Sequence, residues 1–539
     1  LSIIFGIFYF FGIIDLVLLI SITAIVFFLQ WIISPYISDI VFRLFYGLRW
    51  ISIDELRSKD NELVSFIESI CEKNRIKFPK IGFIDDDNPQ TFAYGSASFN
   101  ARVVFTRGIL TYLNTEERKA VFAHEIGHIV NKDFIIMTLA AFLLAILYHM
   151  YQTLLKNGRE TKNRRKGSFY VFFLGIIAYI FYLIGNYLLL FLSRVREYTA
   201  DEFAAKSMKN SNPLASALIK ISYGIISNPD EKKQIEFMKG IRTLGIVDYF
   251  NAQQIGVSYY FLKNLDNSEF LEKTFLFDLK NPWAFIIELR SSHPLTAKRI
   301  KRLDKIYDVS FFDIKKIESY KIDKSKLYSN FFNDILFLIL PYLYIVLYVI
   351  ILFLDFIGLV KIPFSLFEKT ILSLIGMGIV LYSIVSYRYR SGGFEKKSVA
   401  DLMSDVYASP LKGKPVELEG EIIGRGVPGL IFSEDMVFRD KTGIIYLNYE
   451  GIVPFLSNLV FAFFKLDNLI GKNVKIRGWF IRGGNARIEL DEIITEDGKR
   501  IRSRVRIWFI ISGIFFFFII LFLSIVYYLV DLFIKVIRS

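Results

Sequence analysis

The chain has 539 residues, 53% hydrophobic and 22% charged, and its mean hydropathy is +0.40. These values exclude an ordinary soluble protein and also a membrane bundle without polar domains. A single cysteine, Cys71, excludes an intrachain disulfide framework. The net charge of +13, in a chain with long apolar runs, indicates anionic lipid and membrane topology before nucleic acid.

Long apolar runs recur along the chain. A helix needs about 20 apolar residues to cross a bilayer, because it rises about 1.5 Å per residue. The first run, 1–34, contains Asp15 and allows either one span or a hairpin whose first member is clipped. We predict two membrane hairpins at 134–193 and 335–387, and a last transmembrane helix at 507–530. The fold class is therefore a multi-pass membrane protein.

Polar stretches lie between these runs. The stretches 35–133 and 194–329 are mostly helical by pattern, and we assign them to one domain that the first hairpin interrupts. The third stretch, 389–506, contains five segments that alternate apolar and polar residues, with a helical pattern at 453–466 between the third and fourth. This order predicts a small C-terminal OB-like β-barrel, with a generic β-domain as the alternative. The five predicted strands are Val416–Arg425, Met436–Arg439, Gly443–Tyr449, Asn473–Arg482 and Ala486–Ile494.

The motif H-E-I-G-H at 124–128 is the strongest chemical signal. On one helix, His124 and His128 lie one turn apart on the same face, so both imidazoles can bind one Zn²⁺ ion. Glu125 points beside the ion and not at it, which suits a general base that activates a water held by the metal. The alternative is a chance helix with two solvated histidines.

Zinc in a catalytic site needs a third protein ligand and an open position. The segment R-E-Y-T-A-D at 196–201 offers Glu197 and Asp201, again one helical turn apart. Glu197 would be the ligand, and Asp201 would hold the outer nitrogen of a ligand imidazole. Taken alone, such a pair is usually a solvated helix face. Its position across a membrane hairpin from the first motif favours the metal site.

The chain resembles the HtpX-like membrane zinc metallopeptidases, relatives of the CAAX prenyl endopeptidases, over about residues 1–305. Three segments carry the resemblance: H-E-I-G-H with Asp133 five residues beyond it, R-E-Y-T-A-D, and S-S-H-P-L-T-A-K-R-I at 291–300. The resemblance implies a zincin-type, mainly helical catalytic domain with a short β edge and one zinc ion. It further implies His293 and Arg299 at the reaction centre. The implied set has His124, His128 and Glu197 as metal ligands, Glu125, His293 and Arg299 as catalytic residues, and Asp133 and Asp201 behind the ligands.

A fourth segment, P-Q-T-F-A-Y-G at 89–95, resembles the family's P-N-A-F-A-x-G, with Gln90 in place of Asn. In the family this is an edge strand beside the cleft, to which a peptide adds through backbone hydrogen bonds. The resemblance implies a substrate-binding role for this segment and for the β-run that follows it. The residues concerned are Gln90, Phe92, Gly95, Val104, Phe105 and Thr106.

The function indicated is a membrane zinc endopeptidase of quality-control type, which cuts misfolded or membrane-proximal polypeptides. One alternative is a CAAX-type processing protease with a narrow substrate, and another is a membrane scaffold with a structural metal site. We expect polypeptide substrates, a lipid bilayer and no nucleic acid, with a protein partner or substrate docking at the OB-like part. The family's orientation implies a cell-membrane protein whose catalytic and OB-like parts are cytoplasmic. The strongly basic loop 156–167, on the opposite side, argues against that orientation.

Overall fold

The structure is a computed structural model that describes residues 16–160, 165–227, 268–310, 313–361, 363–425, 435–451, 456–483 and 486–538. The described chain divides into two compact units. The first holds the described residues of 16–227 and 285–315, and the second holds those of 268–284 and 316–538. The possible first member of an N-terminal hairpin lies outside the described residues.

Six described helices are long and apolar enough to cross a membrane, which confirms the predicted multi-pass architecture. Their exposed side chains are largely Phe, Leu, Ile and Val, as a lipid-facing surface requires. The candidate spans are Ala24–Tyr46, Asp133–Leu155, Tyr170–Met208, Lys324–Phe356, Leu366–Arg388 and Val505–Ile534.

The first unit combines a small sheet with helices before and after a membrane hairpin. The strand order is β1-β2-β4-β3, in which β2 and β4 are parallel and the other pairs antiparallel. Its elements are α1 Leu16–Tyr46, β1 Arg49–Trp50, α2 Ile53–Lys59, α3 Asn61–Lys73, β2 Lys80–Ile84, β3 Thr91–Tyr94, β4 Arg102–Thr106, α4 Arg107–Tyr112, α5 Thr115–Val130, α6 Asp133–Glu160, α7 Arg165–Met208, α8 Asn212–Ser227, α10 Pro282–Leu289 and α11 Thr296–Asp304.

Helix α1 continues beyond the predicted end of the first apolar run. It passes through Pro35, which lacks a backbone N–H, and ends at Tyr46. Contacts with the sheet account for the extension: Asp39 accepts from the Tyr94 hydroxyl at 2.8 Å and pairs with Arg102. The C-terminal part of α1 is therefore both a candidate span and a wall of the sheet.

Helix α5 carries the H-E-I-G-H motif, and its N-terminus is fixed by a capping box. Asn114 accepts from the Glu117 N–H, and Glu117 accepts from the Asn114 N–H, both at 2.9 Å. Further along the helix, Gly127 allows close packing against α7. A Cβ on Gly127 would lie 3.2 Å from Ala200 Cα. The glycine of the motif thus permits the close approach of α5 to α7.

The second unit contains the remaining spans and a β-domain. Tyr348, Leu352, Met377, Leu381 and Ile520 form the buried contact between its three membrane segments. Its elements are α9 Ser268–Lys280, the start of α10, α12 Ile314–Ser319, α13 Lys324–Phe356, α14 Leu366–Arg388, β5 Glu395–Lys396, α15 Val399–Met403, β6 Lys414–Arg425, β7 Met436–Arg439, β8 Ile444–Asn448, α16 Leu456–Phe464, β9 Asn473–Arg482, β10 Ala486–Thr495, β11 Arg500–Arg502, α17 Val505–Ser512 and α18 Ile514–Arg538.

Five of these strands close into a barrel. Antiparallel pairs join β6 to β7, β7 to β8, β10 to β9 and β9 to β6, and a parallel pair joins β8 to β10. Along the chain, helix α16 lies between the third and fourth barrel strands, β8 and β9, as the sequence pattern predicts. The alternating apolar side chains fill the interior, for example Leu418, Phe438, Leu447, Ile476 and Ile488. This confirms the predicted small C-terminal β-barrel.

Buried polar contacts hold the barrel to its membrane helices. Asp334, on α13, accepts from the Ser409 hydroxyl at 2.6 Å. Arg388, the last residue of α14, pairs with Glu489 on β10, and both side chains are buried. Because several such contacts converge, the barrel is fixed against its own spans and is not carried on a free linker.

Candidate metal centre

Three side chains on two helices converge within the first unit. His124 and His128 come from α5 and Glu197 from α7, and one possible ligand atom from each lies within 4.8 Å of the other two. The two Nε2 atoms are 3.2 Å apart. Each lies 3.6 Å from a carboxylate oxygen of Glu197. All three residues are buried, so the predicted ligand set is assembled in one protected place.

The outer nitrogen of each imidazole faces a carboxylate. His128 Nδ1 lies 2.5 Å from Asp133, and His124 Nδ1 lies 3.0 Å from Asp201. Asp133 directly follows the turn that ends α5, where Lys132 adopts a left-handed backbone with φ of 58°. With a proton on each outer nitrogen, both Nε2 lone pairs point into the centre.

This donor set fits a zinc ion. Two neutral imidazole nitrogens and one carboxylate are ordinary zinc ligands, and two facing lone pairs repel each other unless a cation or a proton lies between them. Burial opposes protonation of His124, but hydrogen bonds with Asp201 and Glu197 outweigh it and raise its pKa to about 9. Burial lowers the pKa of His128. The carboxylates around His124 therefore favour positive charge at the centre, as a site for a metal cation requires.

Glu125 lies beside this group with a carboxylate that is only partly satisfied. It is 1% exposed, and it accepts a hydrogen bond from the Ala93 backbone N–H on β3. Its Oε1 has no hydrogen-bond partner among the described residues. Burial raises the pKa of Glu125 to about 8, with a smaller opposing effect from His124. A buried carboxyl group with a free oxygen and a raised pKa suits proton transfer.

His293 and Arg299 reach the centre by different routes. His293 Nδ1 lies 3.1 Å from Glu197 Oε2, and its Nε2 has no hydrogen-bond partner in the described part of the chain. Arg299 instead donates to both oxygens of Asp201, at 2.8 and 2.6 Å, and its Nη1 is 3.8 Å from Glu197. Arg299 therefore supports Asp201, whereas His293 borders the centre itself.

Two arginines of α7, Arg194 and Arg196, shape the centre. Arg194 donates to the carbonyls of Glu288 and Ser291 at 2.7 and 2.8 Å, which fixes the loop leading to His293. Arg196 Nε lies 3.2 Å from Asp133. In the sequence, the sign of this role is that both arginines lie within three residues of Glu197.

The residues predicted to bind substrate occupy two strands with different positions in the sheet. Phe92 lies on the edge strand β3, beside the Ala93 N–H that reaches Glu125. Gly95 follows β3, where a Cβ would lie 3.1 Å from Ala101 Cα, so this glycine serves the local turn. Val104, Phe105 and Thr106 lie on β4, which pairs with β2 on one side and β3 on the other. Their backbones offer no free edge to a peptide.

Gln90 lies just before β3. It is 1% exposed, and both side-chain amide atoms lack a hydrogen-bond partner among the described residues. Its backbone is held by Thr106, whose hydroxyl accepts from the Gln90 N–H at 2.9 Å. The side-chain amide of Gln90 is therefore not held by a described protein group.

Comparisons with known proteins agree with this geometry. The profile of peptidase family M48 matches residues 57–307. A protease HtpX homolog from Methanothermobacter thermautotrophicus is 33% identical over 196 residues, which cover 36% of this chain and 69% of that protein. A protease HtpX homolog from Pyrococcus abyssi is 32% identical over 278 residues, covering 51% and 82%.

A crystal structure of S. mikatae Ste24p aligns with 56% of this chain and 61% of its own, at 20% identity and a TM-score of 0.34, a likeness too slight to carry an argument. The chain belongs to peptidase family M48, as an HtpX-like membrane zinc metallopeptidase.

Proposed function

We propose that this chain is an endopeptidase that uses one zinc ion to hydrolyse misfolded or membrane-proximal polypeptides, with His124, His128 and Glu197 as the metal ligands. The observation that carries the proposal is the convergence of these three buried side chains within 4.8 Å, with the Glu125 carboxylate beside them. When bound, zinc would supply the Lewis acidity that polarises the scissile carbonyl and acidifies a water. Asp133 and Asp201 hold the two imidazoles in the required tautomers.

Glu125 is the general base in this proposal. Its Oε1, which no described residue pairs, takes a proton from the attacking water and then delivers it to the departing amine nitrogen, so the carboxylate is regenerated. His293, whose Nε2 has no partner in the part of the chain that the structure describes, donates to the oxygen of the scissile carbonyl as negative charge develops there. Arg299 acts through Asp201 and is a positioning residue.

The edge strand β3 supports a broad choice of substrate. A peptide that adds to β3 by backbone hydrogen bonds would pass the Ala93 N–H and the Glu125 carboxylate next to it. Backbone pairing reads no side chains, which suits quality control better than a narrow CAAX-type processing reaction. Of the residues predicted to bind substrate, the proposal retains Gln90 and Phe92.

A membrane scaffold with a structural metal site remains the alternative of another class. A structural zinc site is closed by four protein ligands. Within the described residues, the candidate group contains three ligands and an additional buried glutamate. An open position next to a buried base favours catalysis.

The decisive experiment replaces Glu125 with Gln in the full-length protein in detergent. We expect the variant to retain zinc by elemental analysis and to lose about 10²–10⁴-fold in cleavage of an unfolded protein, because the base is removed and the ligands stay. Glu116→Gln, at an exposed position on the same helix, is the matched control and should cleave normally. Full cleavage by Glu125→Gln would refute the mechanism.

We also propose that the barrel docks substrates or a protein partner. Helix α16 exposes Val460, Phe463 and Phe464, with 72% of Phe464 accessible, which is a suitable contact for an unfolded apolar segment. Phe463→Ser with Phe464→Ser should slow cleavage of membrane substrates and leave cleavage of a short peptide unchanged. Equal rates for all substrates would remove the docking role.

The catalytic and barrel units are proposed to face the cytoplasm of the cell membrane. Arg43, near the end of α1, and Arg49, on the first strand of the catalytic sheet, are exposed basic residues that support this orientation. Protease digestion of right-side-out and inverted vesicles tests it. Digestion of the barrel only from outside the cell would reverse the assignment.

A further inference from the structure

A cleft in the first unit, away from the metal centre, lies between the C-terminal half of α1 and the sheet. It has a volume of about 510 Å³, and we call it the basic cleft. Its rim is partly apolar, because Tyr36, Ile53 and Phe99 are 53%, 41% and 69% exposed. The residues that define it here are Tyr36, Ile53, Lys77, Lys80, Phe99 and Arg102.

The depth of the basic cleft relative to the bilayer follows from the packing of α1 against α6. The rings of Phe27 and Phe142 are in contact, with centroids 5.1 Å apart. The end of α1 and the start of α6 both meet the sheet domain, so the helices run in opposite directions. Nine residues, or about 13 Å of helix, lead from Phe142 back to Asp133 and from Phe27 forward to Tyr36. Tyr36 therefore lies level with Asp133, where the candidate span of α6 begins.

The cations of the basic cleft are poorly neutralised. Lys77 and Lys80 are exposed, and neither forms an ion pair with a described carboxylate. The Lys80 ammonium lies 3.7 Å from the centre of the Trp50 ring. Asp39, whose carboxylate also acts on Lys80, is paired with Arg102, and Arg43 adds a further positive charge near Lys80. The described cleft lining contains no carboxylate.

An apolar stripe leads from the cleft toward the bilayer interior. Leu29, Ile32 and Ile33 lie three to seven residues before Tyr36, so they share its face of α1. They are 49%, 41% and 45% exposed. A molecule with an anionic head and long hydrocarbon chains matches both parts, since the head meets the lysines and the chains follow the stripe.

We propose that the basic cleft binds the phosphodiester headgroup of an anionic phospholipid whose acyl chains lie along Leu29, Ile32 and Ile33. The phosphate oxygens accept hydrogen bonds from the ammonium groups of Lys77 and Lys80. Tyr36 and Phe99 flank the headgroup at the depth where aromatic side chains are common in membrane proteins. The site is independent of the metal centre and needs no bound zinc.

Native mass spectrometry of the full-length protein in detergent tests the site. Phosphatidylglycerol and phosphatidylcholine are added in turn, and the retained lipid is counted as the activation energy is raised. We expect phosphatidylglycerol to be retained preferentially. The double variant Lys77→Gln with Lys80→Gln should bind it about 30-fold more weakly, because each cation near a lipid phosphate contributes about 1 kcal/mol.

Lys441→Gln with Lys465→Gln, two exposed barrel lysines, is the charge-matched control and should retain the lipid as the parent protein does. Lys77→Gln alone should show an intermediate loss, which keeps the test valid if the double variant does not fold. Equal retention of both lipids, or of phosphatidylglycerol by parent and double variant, would overturn the proposal. Displacement of the lipid by inorganic phosphate at equal concentration would assign the cleft to free phosphate.

Discussion

The two units bury carboxylates in opposite ways. In the second unit, Asp334 is fully buried, and its oxygens accept from the Trp283 indole at 2.8 Å, the Tyr387 hydroxyl at 2.7 Å and the Ser409 hydroxyl. In the first unit, buried Glu125 keeps an oxygen without a described partner. A buried carboxylate whose oxygens all accept hydrogen bonds stabilises the fold. A buried carboxylate with an oxygen left over can instead interact with a metal ion or a reacting group. Similar burial thus serves packing in one unit and chemistry in the other.

The largest effect on zinc content and cleavage is expected at Glu197, whose carboxylate lies near both His124 and His128. Glu197→Ala removes the third proposed ligand, and we expect the purified protein to lose its zinc and all cleavage. Glu202→Ala on the same helix, whose carboxylate pairs with exposed Lys206, is the control and should keep both. Elemental analysis measures the metal. Stoichiometric zinc in Glu197→Ala would remove this residue from the ligand set.

The second prediction concerns Asp334, whose carboxylate accepts three hydrogen bonds. Asp334→Ala leaves two buried donors, Trp283 and Ser409, and the half-buried Tyr387 hydroxyl without their acceptor, which should lower the free energy of unfolding of the second unit by roughly 3 kcal/mol or more. Its thermal unfolding in detergent should shift downward while zinc content is unchanged. Asp467→Ala, at a barrel site 67% exposed, should have little effect. An unshifted transition for Asp334→Ala would mean that this cluster does not stabilise the unit.

The smallest effect is expected at Asp201, which faces the outer nitrogen of the proposed ligand His124. Asp201→Asn keeps the shape but removes the negative charge that faces His124 and Arg299. We expect zinc affinity to fall about 10- to 100-fold, measured by competition with a chelator. Unfolding temperature of the zinc-free protein should change less than in Asp334→Ala. Parent-like resistance to the chelator would show that Asp201 does not act through His124.

Much of the fold is readable from the sequence because its periodicities are strong. The barrel strands appear within one or two residues of their predicted ends, for example Asn473–Arg482, since side chains alternate between a packed interior and solvent. The apolar runs predict the spans for a similar reason, because lipid accepts few charges. The spacing of His124 and His128 predicts their shared helix face.

Other features depend on contacts that no local pattern encodes. The barrel segments contain the aromatic residues Phe438, Tyr449 and Phe480, which are at most 8% exposed and belong to the barrel core. Alternation identifies strand faces without saying which aromatic residues face inward. Likewise, β4 lies inside its sheet because β2 pairs with it in parallel, although β3 lies between these two strands in the sequence. Such long-range pairing leaves no signature near Val104.

The close approach of Gly127 to Ala200 has a consequence for biogenesis. The two imidazoles precede the first membrane hairpin in the chain, and the Glu197 carboxylate follows it. During synthesis, His124 and His128 are therefore made before the two candidate spans of the hairpin, and Glu197 is made at the end of the second. A nascent chain that ends before Glu197 has only two of the three proposed ligands, so the centre can form only after both candidate spans have been made and α5 packs against α7.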